Sequence, residues 1–160
     1  MIKNLGPNRN GAFKQGYFCP QHAEKYIGDP NKIIMRSSWE SRFASWCDLH
    51  PKIKRWSSEP IEIPYISPLD SKKHRYYVDF YMEVEKQEGV QGYLVEIKPN
   101  MQFQPPDQKL LEGNRTLPKM KRYNWQLKTY IVNKAKFESA VIFAKIRGWK
   151  FVIADENFLF

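Results

Sequence analysis

Three charged residues stand inside otherwise apolar stretches: Asp79 in Tyr76-Tyr77-Val78-Asp79-Phe80-Tyr81, and Glu96 and Lys98 in Leu94-Val95-Glu96-Ile97-Lys98-Pro99. Side chains alternate faces along a strand, so Glu96 and Lys98 project together while Val95 and Ile97 point away. The segment between the two stretches, 85–92, contains Gly89 and Gly92 and reads as the loop of a hairpin. A symmetric turn centred between Glu88 and Gly89 pairs Asp79 with Lys98. Glu96 is then one diagonal step away, about 7–8 Å between backbone positions. The convergence depends on that register, because a one-residue slip sends one set of side chains to the other face.

Two carboxylates within reach of each other repel unless a cation lies between them. Hard oxygen donors with open positions suit Mg²⁺ or Mn²⁺, which keep waters and accept phosphate oxygens. A lysine beside such an ion stabilises charge growing on a phosphoryl group, or holds the attacking water. The ion itself lowers the pKa of that water. These are the parts of a phosphodiester hydrolase, whereas the bland reading of the same trio is an ion pair on a solvated sheet face. Glu40 is open in the same way. Ser37 and Glu40 have the spacing of a capping box, and Glu40 also borders the apolar stripe of its helix, so it is either a cap or a fourth acid of the cluster. Glu59, just before Pro60, is a further acid able to face it.

The elements that must position these groups follow from periodicity and punctuation. A helix is expected from Ser37-Ser38, with Trp39, Phe43, Trp46 and Cys47 on one face and Pro51 as its stop. Strands are expected over 61–66, 76–84 and 93–98, the last halted by Pro99. Pro105-Pro106 marks an irregular stretch. A helix then starts near Thr116, with Pro118 tolerated in its first turn, and a second covers 134–147 up to Gly148. A final strand covers 149–154. The result is an α/β domain over 36–160, one mixed sheet flanked by helices. Residues 1–35, rich in turn signals and carrying Lys3, Arg9, Lys14 and Lys25, read as a basic N-terminal arm.

Composition narrows the class. The chain has 160 residues, about one domain, with 26 basic against 17 acidic side chains and a net charge of +9. That charge favours a polyanionic partner, nucleic acid before membrane. No apolar run is long enough to span a bilayer, and no charged-then-apolar leader follows Met1, so a secretory signal is not expected. Two cysteines are too few for a disulfide scaffold. Cys19-x-x-His22 and Cys47-x-x-His50 contain the ligand types of a zinc site, but Cys47 lies on an apolar stripe and the gap is unlike common fingers. Lys72, Lys73 and Arg75, beside the Asp79 strand, and Lys119, Lys121 and Arg122, at the start of a helix, are the expected phosphate contacts. Affinity built on them falls steeply with salt.

The layout of Asp79, then Glu96-Ile97-Lys98 on the next strand, with Glu40 on a preceding helix, resembles the PD-(D/E)xK nuclease superfamily. Transposon end-cleaving endonucleases are one branch of it. The chain is also similar to the head completion nucleases of T-even-type tailed phages. That likeness lies in Lys25-Tyr26-x-Gly28-Asp29-Pro30, Arg36-Ser37-x-Trp39-Glu40, Ile63-Pro64-Tyr65, the Asp79 strand, Glu96-Ile97-Lys98-Pro99, Gln104-Pro105-Pro106 and Arg147-Gly148. One departure is Val78 where the superfamily has a proline before its aspartate.

The resemblance implies a restriction-endonuclease-like fold and cleavage of double-stranded phage DNA with Mg²⁺ or Mn²⁺. One or two ions would be held by Asp79, Glu96, the Ile97 carbonyl and Glu40, with Lys98 positioning or activating the water. It further implies a role in finishing filled heads before tails attach, contacts with portal or neck proteins, and a place in the virion and in the host cytoplasm during assembly. The alternative is a non-catalytic DNA-binding virion component at the portal or neck, with the charged trio inherited.

Overall fold

A computed structural model describes residues 3, 4, 15–113 and 116–159. In chain order its elements are β1 (Lys3–Asn4), β2 (Gly16–Tyr17), β3 (Ile34–Met35), α1 (Ser38–Leu49), β4 (Ile53–Ser58), β5 (Glu62–Ile66), β6 (Lys73–Tyr77), β7 (Phe80–Lys86), β8 (Gly89–Ile97), α2 (Leu117–Ile146), β9 (Lys150–Ala154) and α3 (Glu156–Leu159). The main sheet has the order β4-β7-β8-β9. β4, β7 and β8 are antiparallel, while β9 returns parallel to β8 after the α2 crossover. Helices cover both faces, which meets the expectation of one mixed sheet flanked by helices. β5 and β6 form a separate antiparallel ribbon, and β1–β3 a small third sheet.

Each face of the sheet has its own core. On one, Phe43, Ala44 and Cys47 of α1 pack on Ile53, Trp56, Phe80, Met82, Val95 and Ile97. On the other, Ala140 and Ala144 of α2 pack on Leu94 and on Ile63, Tyr65, Tyr76 and Val78. Helix α1 starts where its sequence signals place it, with the Ser37 side chain accepting from the Glu40 N–H at 3.1 Å. Helix α2 ends at Gly148, whose φ of +69° is a left-handed conformation open to glycine.

Several expectations change. The strand expected over 76–84 is broken at Val78-Asp79, where the chain leaves the ribbon and enters the main sheet. The backbone bonds Glu59 N–H to Asp79 O (2.8 Å) and Val78 N–H to Ile61 O (3.3 Å) hold that crossing. β4 was not expected, because a bulge between Ile53 and Arg55 spoils the alternation of its buried side chains. The two helices expected after 116 are one helix of 30 residues. Asn133, at the expected break, is buried and donates to the Gln102 carbonyl at 2.9 Å, so the helix continues through it.

Of the segment 1–35, residues 1, 2 and 5–14 lie outside the described residues. Phe18, Ile33 and Met35 are buried in the α1-side core. Asp48, 1% exposed, accepts from the Gln21 and His22 N–H groups, and the Lys25 ammonium donates to the Asp48 and His50 carbonyls. Residues 16–35 thus share the core of the domain that begins at 36.

Candidate active site

The β7–β8 hairpin turns on two residues, Gln87 and Glu88, because Lys86 pairs with Gly89, whose φ is +122°. The turn centre lies one residue earlier than the symmetric reading of 85–92 placed it, since a two-residue loop with glycine beside it closes a hairpin without a long loop. The cross-strand partner of each residue therefore shifts by two. Phe80 pairs with Val95, and Asp79, one step further, lies beside Glu96 rather than opposite Lys98. An even shift keeps every side chain on its face, so the expected convergence survives the corrected register.

Asp79 sits at the bend between ribbon and sheet, and its Oδ2 accepts from the Ile97 N–H at 2.7 Å. Glu96 is 2% exposed. Its Oε2 accepts from the Tyr76 hydroxyl at 2.7 Å, and its Oε1 lies 3.1 Å from Lys98 Nζ. Burial raises the Asp79 carboxyl, and Glu96 and Glu40 add to this. The Lys98 ammonium and the Ile97 N–H oppose it, and the result is a pKa pushed up to about 8. For Lys98, burial works against the charge, but the carboxylates of Glu96 and Asp79 outweigh it and the ammonium is held above its ordinary value. Burial, then Glu96, raises the Tyr76 hydroxyl, which stays a donor. The cluster has more negative than positive partners, and this balance together with burial is what raises the Asp79 carboxyl.

Glu40 approaches from the first turn of α1. Its carboxylate accepts from the Arg36 N–H (2.8 Å) and the Ser37 hydroxyl (2.8 Å). It acts electrostatically on both Asp79 and Lys98. The two readings of Glu40 are therefore compatible in space: it caps the helix, and it lines one cleft of about 350 Å³ with Ser37, Trp39, Ile97, Lys98 and Gln102. Glu59 takes a different place. Its backbone bonds to Asp79, while its carboxylate is paired with the Arg36 guanidinium.

Among the described residues, no three acidic, histidine or cysteine side chains already stand together as a ligand set. The all-oxygen donors Asp79, Glu96 and Glu40 nevertheless fit a hard divalent cation. Glu40 and Lys98 line the cleft, and Asp79, held by the Ile97 N–H, feels the charge of both Glu96 and Glu40. Cys47 is buried and Cys19 exposed. Of the expected phosphate contacts, Lys72 lies in the turn between β5 and β6, and Lys73 and Arg75 lie on β6. Arg75 is shared with Glu62 at 3.4 Å. Lys119, Lys121 and Arg122 are exposed on the first turns of α2.

Sequence reasoning missed two neighbours of the site. Tyr76 was read only as a strand residue, although an aromatic hydroxyl three residues before a buried acid is a natural partner for a second acid. Lys136 of α2 lies with its ammonium 5.7 and 5.6 Å from the ring centroids of Tyr65 and Tyr76. Burial lowers its pKa, partly offset by Glu96 and Asp79. No local sequence signal links it to the hairpin, since the crossover alone brings it there.

A hairpin-borne pair of acids with a lysine one step on, in a mixed sheet between helices, defines a restriction-endonuclease-like nuclease domain. The family model for the TnsA-like endonuclease N-terminal domain matches residues 50–156, and the chain belongs to that family. The match contains Asp79, Glu96 and Lys98, while Glu40 precedes it. The chain is also 38% identical over 142 residues to the head completion nuclease of Enterobacteria phage T4, covering 89% of this chain and 91% of that one. No solved structure matches the chain.

Proposed function

We propose that this protein is a divalent-metal-dependent deoxyribonuclease that acts on phage DNA in head completion. The observation that carries the chemistry is the grouping of Asp79, Glu96 and Lys98 beside a cleft that Lys98 lines, with the Lys98 ammonium 3.1 Å from Glu96 and Asp79 raised by burial and by Glu96. The observation that carries the biological setting is the likeness to the phage T4 nuclease. Mg²⁺ or Mn²⁺, one ion or two, would be held by Asp79, Glu96, the Ile97 carbonyl and Glu40, where it supplies charge neutralisation at phosphate and a more acidic water. Tyr76 fixes the Glu96 carboxylate by its hydroxyl, and the Ile97 N–H fixes Asp79. Lys98, kept cationic by the two acids, aims its ammonium into the cleft to hold the attacking water or the phosphate oxygen. Lys72, Lys73, Arg75, Lys119, Lys121 and Arg122 bind duplex backbone. Such work, on packaged DNA before tails join, would be done at the portal or neck of the virion and in the host cytoplasm during assembly.

The test is incubation of circular and linear duplex DNA with the purified chain in Mg²⁺, Mn²⁺ or EDTA. Cleavage in either metal, none in EDTA, and none by folded Asp79→Ala or Lys98→Ala is the expected result. Metal-dependent cutting that survives both substitutions refutes the site.

A further inference from the structure

Between residues 117 and 137, α2 carries Lys119, Lys121, Arg122, Lys128, Lys134 and Lys136 and no acidic side chain. Solvated helices usually interleave acids and bases at i,i+4. One sign over about six turns is instead a continuous positive edge. None of the six takes part in an ion pair among the described residues.

The spacing sorts these residues by face. Gln126, Asn133, Ala140 and Ala144 are the buried positions of the helix. Lys121, Trp125, Lys128 and Lys136 fall on a different stripe, within about 80° of one another around the helix axis at 3.6 residues per turn. Trp125 is 50% exposed. Its indole stands in solvent with an ammonium one turn before it and another one turn after. The stripe leads inward to Lys136, whose ammonium lies over the Tyr76 ring while the Tyr76 hydroxyl bonds Glu96. Trp125 and Lys136 are eleven residues apart, about 16 Å along the axis.

Resting on the nuclease reading for the identity of the polymer, we propose that this stripe carries one strand of DNA out of the carboxylate cluster, and that Trp125 stacks on an unpaired base of that strand. A paired base offers only its edges in the grooves, whereas an unpaired base exposes its π face, and stacking on an aromatic side chain is the sequence-tolerant way to hold it. The distance spans about five nucleotides at the duplex rise of about 3.4 Å, fewer in a stretched strand. The preferred substrate class is therefore DNA with a single-stranded stretch within a few nucleotides of the cut, such as an overhang or frayed end.

The test measures binding in EDTA, so that it is independent of cleavage and of the metal. Fluorescence anisotropy compares the full chain with Trp125→Ala and Trp125→Phe on three probes: a labelled oligothymidine, the same oligomer with abasic sites, and a blunt hairpin duplex. Circular dichroism melts check that both variants are folded. Trp125→Ala is expected to weaken oligothymidine binding about 5- to 100-fold, to leave the abasic oligomer and the blunt duplex within twofold, and to be largely rescued by phenylalanine. Equal losses on all three probes, or no loss on oligothymidine, overturns the proposal. If single-strand binding behaves as expected while no metal-dependent cutting is found, the nuclease reading fails and the stacking site stands.

Discussion

The two faces of the main sheet are built on different terms, although strand β8 serves both. Toward α1 it sends Val95 and Ile97 into an apolar cluster where Phe43 meets Phe80 with ring centroids 4.8 Å apart, and the buried Asp48 near the end of α1 is taken up by the Gln21 and His22 N–H groups. Toward α2 it sends Leu94 and Glu96, and the contact with the helix is made through Ala140 and Ala144. That second face also holds Tyr76 on Glu96, Lys98, Lys136 and the polar anchors Gln126 and Asn133. The difference teaches a division of labour within one strand. The apolar side fixes the hairpin register by dense packing. The polar side then keeps charges that a marginal core would not tolerate close together.

Substitutions on the two faces should therefore separate stability from activity. Asp79→Ala is expected to remove metal-dependent cleavage by about 10³-fold or more while the metal-free melting temperature stays level or rises, because a buried acid surrounded by like charge is removed. Phe43→Ala is expected to do the reverse. It costs about 3–5 kcal/mol of stability through the cavity it leaves, while the cleavage rate per folded molecule at low temperature stays within a few-fold. Denaturant melts paired with plasmid cleavage read both. A strongly destabilised Asp79→Ala, or a Phe43→Ala as stable as the parent, would break the contrast between the faces.

Tyr76 tests the polar side more finely. Tyr76→Phe removes only the hydroxyl that donates to Glu96 at 2.7 Å and leaves the ring against Lys136. Partners that orient a metal-binding carboxylate are typically worth about 10–100-fold in metal affinity or activity. The Mg²⁺ concentration for half-maximal cleavage is expected to rise by that order while the melting temperature moves by a few degrees at most. An unchanged metal requirement would mean that Glu96 is oriented by Lys98 and its own burial alone.

How much of this was legible depends on whether the signal was local. Helix α1 was readable because Ser37 and Glu40 name its start and Pro51 its stop. The charged trio was readable because strand alternation forces Glu96 and Lys98 to one face in any register. The pairing partner of Asp79 was not, since loop residues 85–92 also fit a turn centred one position later, and only closure on Gln87-Glu88 decides between them. β4 was hidden by its bulge. The burial of Phe18, Ile33 and Met35 was hidden because their segment is held by long-range bonds, such as Gln21 to Asp48, that leave no periodic trace. Lys136 belongs to the same class, brought to the site by the crossover of α2.

The smallest expected effect concerns protons, and its sign follows from Asp79. Its carboxyl is pushed up to about 8 in the folded chain, against an ordinary 3.8. Between those two values the native state holds a proton that the unfolded state has released. The metal-free protein should thus lose stability as pH rises through this window, and the loss should level off above it. A divalent cation reverses the slope, because binding to the carboxylate releases that proton and is favoured as pH rises. Melts at pH 6 and 8.5 in EDTA are expected to show a drop of a few degrees that Asp79→Asn reduces and that Mg²⁺ cancels in the parent but not in the variant. The α1 face has no part in this, so Phe43→Ala should lower both melts together and leave their difference unchanged. A pH dependence identical in the parent and Asp79→Asn would assign it to other groups and remove the charge imbalance from the account of the site.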